Sequence, residues 1–142
     1  MRHDKSCGAI IFRLEEYKPM YLLLYGPSYW GFTKGLNEKN ESEEETAIRE
    51  AAEETGIKIK LLQGFKETIK YIYRFNNELI SKEAVFFIAE AKSKEVKISK
   101  EHEDFKWADF EDAIKLMKHK NQKEMLKRAN DFILHWIKQK RL

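Results

Sequence analysis

The sequence predicts an α/β fold. Aromatic and branched apolar runs of strand length alternate with helical segments, and one helix combines a capping signature with a dense block of glutamates. A chain of 142 residues, 42% hydrophobic and 36% charged, is long enough for one well-buried core and too short for two ordinary ones, so residues 1–142 are read as a single domain. Two prolines and six glycines argue against disorder.

The elements follow in order. Ser6–Arg13 and Tyr21–Tyr25 are rich in aromatic, Ile and Leu residues and flank a polar stretch with Pro19, so both read as strands. Trp30–Phe32 reads as a third, shorter strand. Ser42, followed three residues later by Glu45, fits a capping box, Ala-rich helix formers follow, and Gly56 stands where the helix should stop. Ile57–Phe75 reads mostly as strand, Asn76–Asn77 as a turn and Leu79–Ala91 as the returning strand, which makes a hairpin. Phe105–Ala108 reads as a short strand and Phe110–Met117 as a helix. Met125, Leu126, Ala129, Phe132, Ile133, Trp136 and Ile137 recur at spacings of three and four, the stripe of a long amphipathic helix that packs into the core.

Composition excludes several classes. The longest apolar runs, Tyr21–Tyr25 and Ala84–Ala89, fall far below the roughly 18 residues of a membrane span. Arg13 closes the apolar stretch Cys7–Phe12 too early for a signal-peptide core. The single cysteine, Cys7, has no partner for an internal disulfide, which suits a reducing, cytoplasmic setting. No membrane contact and no obligate protein partner are expected. Charge is uneven: from Ala113 to Leu142 nine Lys or Arg face Glu124 and Asp131, a balance of +7, which leaves −4 for the remainder. That basic end suits either a solvated helix face or attraction to phosphate-rich ligands.

Eight glutamates lie between Glu38 and Glu54, countered only by Lys39 and Arg49. At about 100° per residue, Ile48, Ala51, Ala52 and Thr55 share one face and Glu50, Glu53 and Glu54 collect on the opposite one. Arg49 can pair with Glu53, but Glu50 and Glu54 repel each other at i,i+4. Two readings stand: a solvated polar face, or a site for a hard divalent cation, which prefers carboxylate oxygens.

The spacing adds to the second reading. Gly35, Glu41, Arg49, Glu50, Ala51, Glu53, Glu54, Gly56 and Ile57 fit G-x5-E-x7-R-E-U-x-E-E-x-G-U, with Ala51 smaller than the usual aliphatic U; a chance match is on the order of 10⁻⁸ per start. This resembles the box of the Nudix hydrolases. The resemblance implies an α/β/α sandwich with a mixed sheet, the box forming loop, helix and loop. It implies that Glu50, Glu53 and Glu54 bind Mg²⁺ or Mn²⁺, that the Gly35 carbonyl adds a ligand, and that Arg49 holds the carboxylates in place. The implied reaction is attack of water on phosphorus in a nucleoside diphosphate linked to another group.

Beyond the box, the chain is similar to the asymmetrical diadenosine tetraphosphate hydrolases. Tyr29-Trp30-Gly31-Phe32-Thr33-Lys34-Gly35 resembles their aromatic-Trp-x-x-Pro-Lys-Gly approach to the box, and Ser99-Lys100-Glu101-His102, with Phe105 and Trp107 following, resembles their Ser-x-Glu-His segment. By this resemblance Glu101 supports the metals or acts as base, Lys34 and Lys82 bind phosphate, Phe86 stacks on adenine and Tyr71 lies nearby. Packing is the alternative for Phe86 and Tyr71, and His102 is read as structural. Thr33, Leu36, Lys39-Asn40 and Phe86 depart from that pattern, and none of them removes a metal ligand.

The resulting expectation is a metal-dependent hydrolase that splits diadenosine tetraphosphate into ATP and AMP. The same site can instead serve nucleoside triphosphates, RNA 5′ ends or diphosphoinositol phosphates. A non-catalytic nucleotide-binding module is the alternative of a different class, yet every charged position of the box is present.

Overall fold

The computed structural model describes residues 1–140. In chain order its elements are β1 (Arg2–Glu15), β2 (Lys18–Tyr25), β3 (Trp30–Gly31), β4 (Thr33–Leu36), α1 (Glu43–Thr55), β5 (Ile59–Leu61), β6 (Glu67–Phe75), β7 (Glu78–Ala91), β8 (Asp104–Ala108), α2 (Phe110–Leu116) and α3 (Lys120–Lys140). Among these described residues no helix is long and apolar enough to cross a membrane.

All eight strands join one mixed sheet. Its centre is the parallel pair β1–β7, in register from Arg2↔Ile80 to Phe12↔Glu90. The other edge of β1 is divided: Ser6–Ala9 pair with β4, and Phe12–Glu15 pair with β2. β2 and β4 therefore part from one another, and the sheet is split there. β6 returns along β7 as a hairpin whose turn residues Asn76 and Asn77 adopt φ of 50° and 61°, the left-handed conformation asparagine tolerates.

Alternation along the central strands builds an α/β/α sandwich. Ile10 and Phe12 of β1, with Ala84, Phe86 and Ile88 of β7, face α2 and α3, where Ala113, Met125, Leu126, Ala129, Ile133 and Ile137 fill the core. Cys7, Ala9 and Ile11, with Val85, Phe87 and Ala89, face α1 through Ala47 and Ala51. Two polar ties anchor α3: the Tyr21 hydroxyl donates to Asn130 Oδ1 at 2.7 Å, and Arg128 grips the Glu67 carboxylate at 2.6–2.9 Å.

The terminal stripe packs as the spacing predicts, with Phe132 and Trp136 at its partly buried margin. Three expectations are corrected. The single short strand Trp30–Phe32 is two, because residues 33–36 leave β2 to pair with β1 and carry Gly35 into the sheet. The stretch Ile57–Phe75 divides into β5 and β6 around Gly64, whose φ of 103° breaks the extended chain. The packing face of α1 is Thr46, Ala47, Ala51, Glu54 and Thr55, while Ile48 is 41% exposed and Ala52 faces solvent. Small residues seat this helix close to the sheet, whose own Cys7, Ala9, Val85 and Phe87 supply the apolar bulk. The buried face is thus rotated toward the carboxylates, and Glu54 goes inside.

Candidate active site

Two glycines let β4 and α1 close on each other. A Cβ at Gly8 would collide with the Thr33 carbonyl oxygen and with Lys34, so only glycine allows β1 to approach β4 at this point. A Cβ at Gly35 would fall on the Glu50 carboxylate, so the missing side chain is the space that Glu50 fills.

The helix that presents the glutamates is held at both ends. Glu45 N–H donates to Ser42 Oγ at 3.0 Å and Ser42 N–H donates to Glu45 Oε1 at 2.8 Å, the complete capping box. Gly56, at φ 75°, ends the helix with its N–H on the Ala52 carbonyl.

Arg49 donates hydrogen bonds to three carboxylates and a carbonyl, and its Nη2 also pairs with Glu38 at 3.6 Å. Nε donates to Glu41 Oε2 at 2.7 Å, Nη1 to Glu50 Oε1 at 2.9 Å and to Glu53 at 3.3 Å, and Nη2 to Glu41 Oε1 at 3.0 Å and the Leu36 carbonyl at 3.1 Å. Thr46 Oγ1 adds a 2.6 Å bond to Glu41. With Arg49 and Thr46 both bonded to it, the Glu41 carboxyl is held down to about 2.

Glu54 has a different environment. It is 4% exposed and its Oε1 accepts the Lys34 N–H at 3.2 Å. Burial, with smaller contributions from Glu50 and Glu101, pushes its pKa up to about 8. Glu50 is raised too, chiefly by burial and also by the charges of Glu53 and Glu101, against the pull of Arg49. Glu53 keeps 58% of its side chain exposed.

The segment after β7 brings in Glu101. Lys97 N–H donates to the Thr55 carbonyl at 2.9 Å, Ser99 N–H to the Glu54 carbonyl at 3.0 Å and Glu103 N–H to the Tyr25 carbonyl at 2.8 Å. These bonds lay residues 97–103 across the end of α1 and deliver Glu101 to the recess that Glu50, Glu53, Glu54, Lys34 and Gly35 line, a space of about 680 Å³. No protein hydrogen bond holds the Glu101 carboxylate among the described residues. His102 Nδ1 stands 3.4 Å from Ser99 Oγ, and burial lowers its pKa.

Among the described residues no three His, Cys, Asp or Glu side chains are gathered as a ready-made cation cage. The donors themselves fit a hard divalent cation: carboxylate oxygens around one recess, two of them, Glu50 and Glu54, raised in pKa by burial and by neighbouring carboxylate charge.

The acidic recess is one end of a longer cleft. Lys34, Glu54 and Glu101 also line a narrower space of about 180 Å³, together with Phe86, His102 and Gln122. Beyond it, Tyr29, Lys34, Ile69, Tyr71, Phe86 and Gln122 enclose a mostly apolar cavity of about 370 Å³. Lys34 lines all three spaces. Its ammonium is brought down to about 8 by burial and by the neighbouring Lys82 ammonium. Lys82 lies opposite Asp4 on β1 and Tyr71 on β6. Phe86 is 3% exposed and packs edge-to-face on Phe32 at 5.9 Å, so it is a core residue that also floors the cavity. Tyr71 is 37% exposed at the cavity wall, its ring 6.1 Å from that of Tyr73.

Sequence reasoning missed the far wall. His119 immediately precedes α3 and Asn121 and Gln122 lie in its first turn, where no apolar period draws attention to them, and Tyr29 packs edge-to-face on His119 at 4.9 Å. Tyr29 alone lay within a motif already singled out.

The NUDIX domain family model matches residues 5–129. The mouse bis(5'-nucleosyl)-tetraphosphatase [asymmetrical] is 32% identical over 143 aligned residues, covering 91% of this chain and 95% of the relative. The dihydroneopterin triphosphate diphosphatase of Haemophilus influenzae is 26% identical, covering 89% and 87%. A crystal structure of a C. elegans Ap4A hydrolase binary complex superposes with a TM-score of 0.75 at 29% identity, covering 92% of this chain and 97% of that one. With its box glutamates gathered at one end of a cleft and the family model spanning most of its length, this chain belongs to the Nudix hydrolases.

Proposed function

We propose that this Nudix hydrolase splits diadenosine tetraphosphate into ATP and AMP by attack of water on phosphorus. The observation that carries the reading is the continuity of the cleft through Lys34: a mostly apolar cavity opens into a narrow passage lined by Lys34 with Glu54 and Glu101, and then into the carboxylate recess. A nucleoside joined to a polyphosphate matches a cleft that runs from an apolar surface past one ammonium to carboxylates able to hold a cation.

Each residue then has a task. Phe86 and Tyr71 offer ring surface to adenine, and Lys34 and Lys82 hold the polyphosphate as mobile point charges. Glu50, Glu53, Glu54 and Glu101, with the Gly35 carbonyl, hold Mg²⁺ or Mn²⁺. The bound metal supplies charge neutralisation at the phosphate oxygens and a more acidic water. Glu101 takes the proton of the attacking water, being the one carboxylate of the four that no protein hydrogen bond engages. Arg49 positions Glu50 and Glu53 without touching the reacting atoms. Residues 1–142 act as one domain in this reading, and a cytoplasmic location, where nucleotides and Mg²⁺ are at hand, accompanies it.

A second reading, cleavage of a nucleoside triphosphate at the same site, is supported by the likeness to the dihydroneopterin triphosphate diphosphatase. RNA 5′ ends have less support, because α3 with its lysines packs on the sheet face opposite α1. The apolar cavity gives a diphosphoinositol phosphate, which has no base, nothing to fill it with. The test is the ratio of kcat/KM for diadenosine tetraphosphate, ATP, 5′-capped RNA and diphosphoinositol pentakisphosphate under one set of conditions. The dinucleotide is expected to lead by at least about tenfold, and a higher value for any other substrate overturns the reading.

A further inference from the structure

Asn37 directly follows β4 and Thr46 lies in the first turns of α1, both at positions that the box pattern leaves open. The Asn37 N–H donates to the Lys5 carbonyl at 3.0 Å, which ties its backbone to β1. Its side-chain Nδ2 lies 2.7 Å from Thr46 Oγ1, 3.1 Å from the Glu41 carbonyl and 3.4 Å from the Ser42 carbonyl. Carbonyl oxygens only accept, so the amide must turn its nitrogen to this cluster, and the Thr46 hydroxyl receives a hydrogen from it.

That fixes the direction of the next bond. A hydroxyl has one hydrogen, and with Asn37 donating to it, Thr46 gives its own to Glu41 Oε1 at 2.6 Å. A helical threonine can otherwise turn its hydrogen to the carbonyl four residues back. Here that carbonyl is Ser42, which already accepts the Thr46 N–H and is approached by Asn37 Nδ2. Thr46 is fully buried, so no water competes for its hydroxyl. From the other side Arg49 donates to Glu41 through Nε at 2.7 Å and Nη2 at 3.0 Å, which leaves Nη1 for Glu50 at 2.9 Å and Glu53 at 3.3 Å.

We infer that Asn37 is a positioning residue for the carboxylate recess: through the Thr46 hydroxyl it fixes Glu41, and through Glu41 and Arg49 it fixes where Glu50 and Glu53 stand. This deepens the reading above and rests on it for the metal role of those two glutamates. Neither Asn37 nor Thr46 touches the reacting atoms.

The experiment measures equilibrium Mn²⁺ binding without nucleotide, from the loss of the free-ion electron paramagnetic resonance signal. It compares wild type with Asn37→Ala, Thr46→Val, Thr46→Ser and the double variant Asn37→Ala with Thr46→Val. Asn37→Ala and Thr46→Val are each expected to raise the Mn²⁺ dissociation constant about tenfold, the scale of losing a group that orients a metal ligand. Thr46→Ser, which keeps the hydroxyl, should stay within about twofold of wild type, since the chain of bonds that orients the ligands is intact. The double variant should bind no more weakly than Thr46→Val alone, because the two residues act through one bond. Unchanged affinity in Asn37→Ala, a Thr46→Ser variant as weak as Thr46→Val, losses that multiply in the double variant, or no Mn²⁺ binding by wild type overturns the inference. Should Thr46→Val unfold at the titration temperature, Asn37→Ala and Thr46→Ser decide: a loss in the first beside wild-type affinity in the second supports the chain of bonds, and any other pair of results overturns it. The readout needs no turnover, so failure to cleave diadenosine tetraphosphate would reject the substrate and leave the role of Asn37 standing.

Discussion

Gly35 of β4 lies directly against the carboxylate of Glu50 on α1, so closely that a single methyl group at position 35 would occupy the place of the carboxylate. The strand residue thus sets where a box glutamate stands. Gly35→Ala should push Glu50 aside without disturbing the strand, since the obstructing atoms are the end of a flexible side chain. A loss of kcat of about a hundredfold, as expected for a catalytic group displaced by an ångström or so, with an unchanged melting temperature, is the outcome to look for. Wild-type kcat would show that the position of Glu50 is immaterial.

Glu53→Gln should lower kcat by at least about a hundredfold, the usual scale for losing an electrostatic contact to the transition state. The fold should be untouched, because this side chain is 58% exposed and its bonds to Arg49 are long, at 3.3 Å. Wild-type turnover at saturating Mg²⁺ would refute its place among the metal ligands.

Gly8 makes the opposite kind of contact from Gly35. There a methyl group meets backbone, the Thr33 carbonyl, which cannot turn away. Gly8→Ala should destabilise the protein by on the order of 1–3 kcal/mol, the range for overpacking, read from the midpoint of urea denaturation. An unchanged midpoint would show that β1 and β4 separate freely.

Glu41 links stability to pH. Its carboxyl is held down to about 2 in the folded protein by Arg49 and Thr46, against an ordinary value of 4.5. A depressed folded value stabilises fully above the unfolded pKa and is lost as pH falls from there toward the folded one. Glu41→Gln should therefore lower the melting temperature at pH 7, and the gap from wild type should narrow as pH falls below about 4.5. A gap independent of pH would contradict the ion pair.

Cys7 is fully buried, and burial raises its thiol to about 11. A disulfide reagent at pH 8 should leave the native protein unlabelled and react with one thiol on addition of denaturant. Rapid native labelling would mean that β1 opens.

The legible parts of this fold are those whose cause is local. Ser42, Glu45 and Gly56 announce α1 because capping bonds and a left-handed C-cap involve neighbours in sequence, and both are present. The α3 stripe is legible for the same reason, since helical spacing alone puts Met125, Ala129 and Ile133 on one side. The burial of Glu54 was not legible, because hydrophobic weight on a helical wheel favours Ile48, whereas the close approach of α1 is decided by alanines and by a sheet assembled from distant strands. The split of residues 30–36 into β3 and β4 depends on which neighbour each half finds, Tyr25 or Cys7. Within the site, the box and Glu101 were expected from a motif. His119, Asn121 and Gln122 had no motif and are brought to Phe86 only by the packing of α3 across the sheet.

The most direct measurement is incubation of the purified protein with diadenosine tetraphosphate and Mg²⁺, with an EDTA control beside it and the products separated by anion-exchange chromatography. ATP and AMP in equal amounts, formed only with the metal, are expected from a base held in the Phe86 cavity with its phosphates running past Lys34 to the carboxylates. ADP as the product, or no cleavage where a nucleoside triphosphate is turned over, would contradict it.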